Sequence, residues 1–479
     1  MEELKKLSMG RILAFATGDI FGGGSFNIVN FLYPVYVVLA VGISPVYVGV
    51  IMLVGRIFDA VIDPPLGFFS DKLRIRFGTR RGSLFVSAPL IVLSLFLLFY
   101  PWEITANNEI FRFLAALFSY LLFCLVQSSV MIPYWSLASE LTDNYTERAR
   151  MTTVRLGFSI FSSIVCVALP GAIVDAGEGN SGYISMSLIF GTVFMICMLV
   201  TAFFAKEGIP PPKKAEKFVW KDFVRPLKVK PFRQYMVIYL CCQMTMAIMS
   251  TLFFFYVLFY FDRSFTQSGQ PNPYPLSLGV GEIGAAIMFG MQIVALPIYL
   301  QIIRKSGKMA VYIAGALIWI GSALIIFFVP ADSPHWVIFA IAAVMGLGIS
   351  GPGLIPHAMF GDVVDVGQLK FGIRDAGAFS GISSFINTCA QGFGIMLVMS
   401  IIEAAGFKEQ QPGAERVLVQ PESAQNAIIF IMALAPLVLM SVGIFFCTRY
   451  RLNKERHAQV LAAIESDDEQ EKATVLASL

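Results

Sequence analysis

Asp59 and Asp63 stand four positions apart inside an apolar stretch that runs from 45 to 70. On a helix this spacing puts both carboxylates on one face. Arg56, three residues before Asp59, lies on that face or beside it. A carboxylate near the middle of a membrane span costs about 2.5–3.5 kcal/mol on insertion scales, and such residues usually face a cavity and mark an ion or substrate path. Two acids at this spacing can hold one cation together. The plainer reading is a structural ion pair between helices, with Arg56 as a partner.

Three more residues carry candidate chemistry. Asp19 sits between Gly18 and the run Gly22-Gly23-Gly24, with Asn27 and Asn30 two to three turns on. A carboxylate accepting hydroxyls, with amides nearby, is sugar-binding chemistry. Its alternative is a helix-packing salt bridge to Arg155. Trp135 offers an apolar face for a sugar ring and one N–H donor, or is an ordinary packed aromatic. Arg155 either reaches for the interface or pairs with an acid in a cavity. His357, directly after Ile355-Pro356, reads as a satisfied packing residue, with a pH-sensitive gate as the alternative.

The elements that must position these residues are membrane helices. Of 479 residues, 57% are hydrophobic and 14% charged, against about 45–50% and 25% in soluble domains. Twelve apolar segments are each long enough to span a bilayer: 10–41, 45–70, 83–102, 110–141, 151–174, 183–205, 234–261, 276–303, 309–329, 335–366, 376–405 and 426–447. A net charge of +3 gives no reason to expect nucleic acid. The seven cysteines mostly lie in apolar segments without metal-ligand spacing and read as packing residues. No cleavable leader is visible. No phosphate loop, zinc motif or Ser-His-Asp arrangement appears, so an enzyme is not expected and no cofactor is implied.

Lys and Arg concentrate in alternate connections, which places both termini in the cytoplasm. A lysine-rich linker with Pro210-Pro211-Pro212 divides the spans six and six. The expected domains are a six-helix bundle over 1–205, a linker over 206–232, a second bundle over 233–448 and a polar tail over 449–479, a frayed helix or disordered. Met131-Ile132-Pro133 with Glu140 and Leu354-Ile355-Pro356 with Asp362 and Asp365 form a short repeat between the halves. Parallel repeats of this kind build transporters whose binding sites lie at the midplane.

The run Arg56-Ile57-Phe58-Asp59-Ala60-Val61-Ile62-Asp63-Pro64-Pro65-Leu66-Gly67, then Ser70-Asp71 and a basic loop, resembles the signature of the glycoside–pentoside–hexuronide:cation symporters. These are a branch of the major facilitator superfamily that includes melibiose permease. Gly18-Asp19, Ile132 through Leu137, and Val364-Asp365 through Arg374 follow in the family's order. The resemblance implies an all-α fold of twelve transmembrane helices in two six-helix bundles, working by alternating access as a cation-coupled sugar importer in the cell (inner) membrane. It implies a cation site at Asp59 and Asp63, with H+ or Na+ as the coupling ion; Ser128, three residues before Met131, offers a further hydroxyl ligand from the fourth helix. It implies a substrate site at Asp19, Trp135 and Arg155; Asn27, on Asp19's side of its helix, and Asn387 and Thr388 are expected to join it. A conformational gate is expected from Arg56, Asp71, Arg80, Glu140 and Arg148 in the first half and Asp362, Asp365 and Arg374 in the second. A monomer in the lipid bilayer, with a small sugar as its ligand, completes the expectation.

Three positions depart from the melibiose-type pattern. Met131 stands where a second sugar-binding acid is usual, Ile62 where an amide precedes the second cation-site acid, and Asn387-Thr388 where a lysine is common. The alternatives are a lysophospholipid or other amphiphile carrier of the same superfamily and a non-transporting sensor on a transporter fold. A missing amide favours a proton over Na+, because a proton needs fewer ligands.

Overall fold

The computed structural model describes residues 8–77, 79–100, 108–141, 145–177, 180–205, 224–261, 279–331, 333–373, 375–408, 419–466 and 468–478. Among the described residues the regular structure is helical throughout. Twelve helices are long and apolar enough to cross a membrane. In chain order they are α1 (Met9–Val41), α2 (Pro45–Phe77), α3 (Arg81–Leu98), α4 (Glu109–Glu140), α5 (Tyr145–Asp175) and α6 (Ser181–Phe204). They continue as α7 (Lys230–Phe261), α8 (Val280–Ser306), α9 (Lys308–Ile326), α10 (His335–Phe371), α11 (Ala376–Ala404) and α12 (Glu422–Arg449).

Contacts group the chain into two compact units. One holds Met1–Glu216, Thr251–Ala286 and Ile395–Gln425; the other holds Lys217–Ser250, Ile287–Gly394 and Asn426–Leu479. In the first, α2 and α4 pack against each other, as do α3 with α6 and α1 with α5. In the second, α9 lies along α10, close enough that a Cβ at Gly315 would meet the ring of Pro352.

Local sequence explains the irregularities. Helix α1 widens into π-turns at Ile28–Leu32 and Val37–Val41. Pro34 has no N–H to return to Asn30, and widened turns of this kind often occur at functional sites. Helix α4 starts where the Asn108 side chain accepts from the Ile110 N–H at 2.9 Å.

The tail, expected as a frayed helix or disordered, is helical and packed. It forms α13 (Lys454–Glu465) and α14 (Glu469–Ser478). Asn453 caps α13 by accepting from the Arg456 N–H, Val460 and Ala463 are fully buried, and α13 and α14 pack on α10. The tail is polar by composition, yet two apolar residues three apart suffice to seat one face of a short helix.

Candidate cation and substrate site

Helices α2 and α4 meet in register. A Cβ at Gly55 would overlap the ring of Tyr120, Asp59 is faced by the Cys124 thiol, Asp63 by the Ser128 hydroxyl, and a Cβ at Gly67 would touch Ile132. Each pair is 65 positions apart. Steps of four on both helices therefore keep the same two faces together along four turns. Gly55 is what lets the first rung close. Tyr120 cannot give way, because it is buried and stacked on Tyr33 at 5.2 Å between centroids.

Neither Asp59 nor Asp63 has an ion pair among the described residues, and the buried Oδ1 of Asp63 has no hydrogen-bond partner there. Arg56 acts on Asp59 through space from one turn away. Its guanidinium donates to Asn30 Oδ1 at 2.8 Å and lies 5.1 Å from the ring centre of Phe26. Arg56 thus ties α2 to α1 instead of closing a loop. Pro64 and Pro65 lie within α2. They leave the Ala60 and Val61 carbonyls without helical N–H donors, within one turn of both acids.

Asp19 is buried, with Arg155 Nε 3.8 Å from its Oδ2 and Ser159 facing it from α5. Arg155 Nε itself donates to nothing among the described residues. The Met131 side chain fills the space beside Gly22, and Tyr134 donates to the Phe15 carbonyl at 3.0 Å. Met131 therefore supplies an apolar wall next to Asp19. Trp135, one turn beyond Met131, is 54% exposed within its unit, so its indole is not spent on core packing. Asn27 donates to the Gly23 carbonyl at 2.9 Å, an intrahelical use of its amide nitrogen.

The second unit contributes a separate polar cluster. Asn387 Nδ2 donates to the Tyr239 hydroxyl at 3.4 Å, and its buried Oδ1 has no partner among the described residues. The Tyr239 ring meets His357 edge-on at 6.1 Å. Thr388 is half-buried beside Asn387. Tyr239, Ser159 and Cys124 were absent from the sequence-based set. Only Cys124 carried a readable signal, since Cys124 and Ser128 repeat the spacing of Asp59 and Asp63.

Charges at the helix ends form their own groups. Arg80 pairs with Asp71 and donates to Ser70 Oγ at 2.9 Å. Lys308 pairs with Asp362, while His457 from α13 lies 3.0 Å from Asp365 and 3.9 Å from Asp362. The side chains of Glu140 and Arg148, and residue Arg374, lie outside the described residues.

A half-buried acid pair with no ion pair among the described residues, set in twelve apolar helices with a third, buried acid beside an arginine, belongs to a membrane transporter. The chain is a member of the MFS/sugar transport protein family, whose model matches residues 14–454, and it fits the glycoside–pentoside–hexuronide symporter branch. It is 25% identical to the isoprimeverose transporter of Lactiplantibacillus pentosus, over 96% of this chain and 92% of that one. It is 23% identical to the glucuronide carrier protein homolog of Escherichia coli, over 96% of each. It is also 22% identical to the sodium-dependent lysophosphatidylcholine symporter 1-A of Danio rerio, over 95% of this chain and 89% of that one. The nucleoside transporter NupG shares the fold, with a TM-score of 0.59 at 14% identity over 92% of this chain and 98% of that one. The family is one of transporters, and the protein is a multi-pass membrane protein.

Proposed function

We propose that the protein is a proton-coupled symporter that imports a sugar of the glycoside, pentoside or uronide class by alternating access between its two six-helix halves. The observation that carries the coupling is the α2–α4 ladder. Asp59 and Asp63 bring two negative charges into a buried site where Arg56 is the nearest positive one, so the site is completed by one monovalent cation. Five side-chain oxygens from Asp59, Asp63 and Ser128 face it, and the other neighbours on the ladder are the Cys124 thiol, the Tyr120 phenol and the Ile132 hydrocarbon. A proton needs one acceptor atom, whereas a hard metal cation needs a shell of oxygens.

Asp19 would accept sugar hydroxyls, with Arg155 holding the carboxylate in place and Trp135 offering its exposed face to the ring. Asn387, with an unused buried acceptor, would take a further hydroxyl. Asn27, Thr388 and the neighbouring cluster would complete the specificity. Asp71 with Arg80, and Lys308 with Asp362, would act as latches that break in one conformation and reform in the other. Glu140, Arg148, Asp365 and Arg374 would belong to the same latches. Loop charge supports the cell membrane with both termini cytoplasmic. A monomer suffices, since both site regions come from one chain.

Proteoliposomes under an imposed gradient of one ion at a time, with the potential clamped, test the reading against a panel of labelled sugars and lysolipids. Accumulation of a sugar driven by a pH gradient without Na+ is the expected result. An inward Na+ gradient that drives accumulation at equal pH, while a pH gradient drives none, overturns proton coupling. The second reading is Na+ coupling, favoured by the two carbonyls that Pro64 and Pro65 release beside the acids and by similarity to a symporter named as sodium-dependent. Uptake of a lysolipid and of no sugar would replace the substrate class.

A further inference from the structure

The ladder contains one group that the coupling scheme leaves unused. Cys124 is 4% exposed and sits on α4 opposite Asp59, one turn before Ser128, itself 8% exposed and opposite Asp63. The two helices repeat in step, so the two acids have equivalent partners in place but not in chemistry. Asp63 is faced by a hydroxyl and Asp59 by a thiol. Oxygen is a ligand for a hard cation, while a neutral thiol is a weak hydrogen-bond donor and a poor partner for one. A serine or threonine at the same position would present an oxygen to Asp59 instead. Next to it, the unpartnered Oδ1 of Asp63 shows that the site has acceptor capacity to fill.

We infer that Cys124 is the specificity-determining residue of the cation site: its thiol withholds the oxygen that Na+ would need at the Asp59 rung and leaves the acid pair to a proton. The inference rests on the cation-site reading above. It adds to the amide missing at Ile62 a determinant on α4, on the opposite helix from the acids.

Equilibrium binding of radioactive 22Na+ to the purified full-length protein in detergent at neutral pH tests it. The comparison uses wild type, Cys124→Ser, Cys124→Thr, Cys124→Ala and Cys124→Ser combined with Asp63→Asn. Both hydroxyl variants are expected to gain Na+ affinity by about tenfold over wild type, which corresponds to about 1.4 kcal/mol. Cys124→Ala is expected to gain none, because it makes room without an oxygen. Adding Asp63→Asn should erase the gain, which places the ion on the ladder. Serine and threonine together guard against one variant failing to fold, and the gel-filtration profile and thermal unfolding show whether each is intact.

An intact Cys124→Ser or Cys124→Thr protein with unchanged Na+ binding overturns the inference and leaves proton coupling standing. An equal gain in Cys124→Ala overturns it too, since space and not oxygen would then be the determinant. Wild-type protein that already binds Na+ as tightly as the serine variant overturns both this inference and the proton reading.

Discussion

Two acid pairs sit on helices of this protein, and they are provided for differently. Asp59 and Asp63 lie in mid-helix on α2, faced by a thiol and a hydroxyl and by no cation within ion-pair distance among the described residues. Asp362 and Asp365 lie near the end of α10 and are matched by Lys308 from α9 and His457 from α13. The second pair has its partners supplied by the protein itself, a lysine and an imidazole from neighbouring helices. The first is left short of positive charge in a place where that shortage is expensive. One pair is therefore equipped to take up a cation and the other to hold elements together. Sequence spacing alone, four in one case and three in the other, would have made them look alike.

The comparison can be broken at either end. The largest effect is expected from Asp59→Asn or Asp63→Asn, which should abolish accumulation of substrate against its gradient while the protein remains folded and exchange of substrate across the membrane persists. A mutant that concentrates substrate like wild type would remove the coupling role. Next, Asp19→Ala should weaken substrate binding by about 1.5–3 kcal/mol, the range for a hydrogen bond to a charged group. Cation binding should be left nearly intact. Equal substrate affinity by calorimetry would assign Asp19 to helix packing with Arg155. Gly55→Leu should destabilise the protein by about 1–3 kcal/mol through overpacking against Tyr120, seen as earlier thermal unfolding in detergent; an unchanged transition would show that the α2–α4 register is loose. The smallest effect is expected from Lys308→Ala, since the pair is partly exposed and such pairs contribute about 0.2–1 kcal/mol. Protease cleavage of the tail should rise modestly and become less sensitive to salt. A variant whose tail is cut at the wild-type rate would show that the Lys308–Asp362 pair plays no part in seating α13 on α10.

Much of this was legible before any coordinates. Twelve spans follow from runs of apolar residues, and their ends fall within a few residues of the helices found, because the hydrophobic length of a bilayer leaves little choice. Asp59 and Asp63 stood out because a charge is rare in such a run. Of the groups that face them, Ser128 was expected, and Cys124 was readable only from its spacing to Ser128. Cys124 is apolar by habit and disappears into a hydrophobic helix, and only a shared register between α2 and α4 makes it a neighbour of Asp59. His457 lay in a segment whose composition argued for disorder, and its partners are roughly ninety residues away in sequence. Tyr239 and Asn387 come together across a still longer gap of 148 positions, which no local pattern encodes.

Helix α10 has 37 residues. At about 1.5 Å per residue it is about 55 Å long, while the hydrocarbon slab it crosses is about 30 Å thick. Even tilted by about 40°, near the upper end of the usual range, it overshoots the slab by roughly 12 Å. The polar end that carries Asp362, Asp365 and Lys370 is about that long. Those residues thus act as a waterline, fixing how deep the helix rides. Acyl-chain length then becomes a control on the protein: lipids that thicken the slab press on the waterline and on the tail moored to it. Tail proteolysis in bilayers of graded thickness would read that pressure directly.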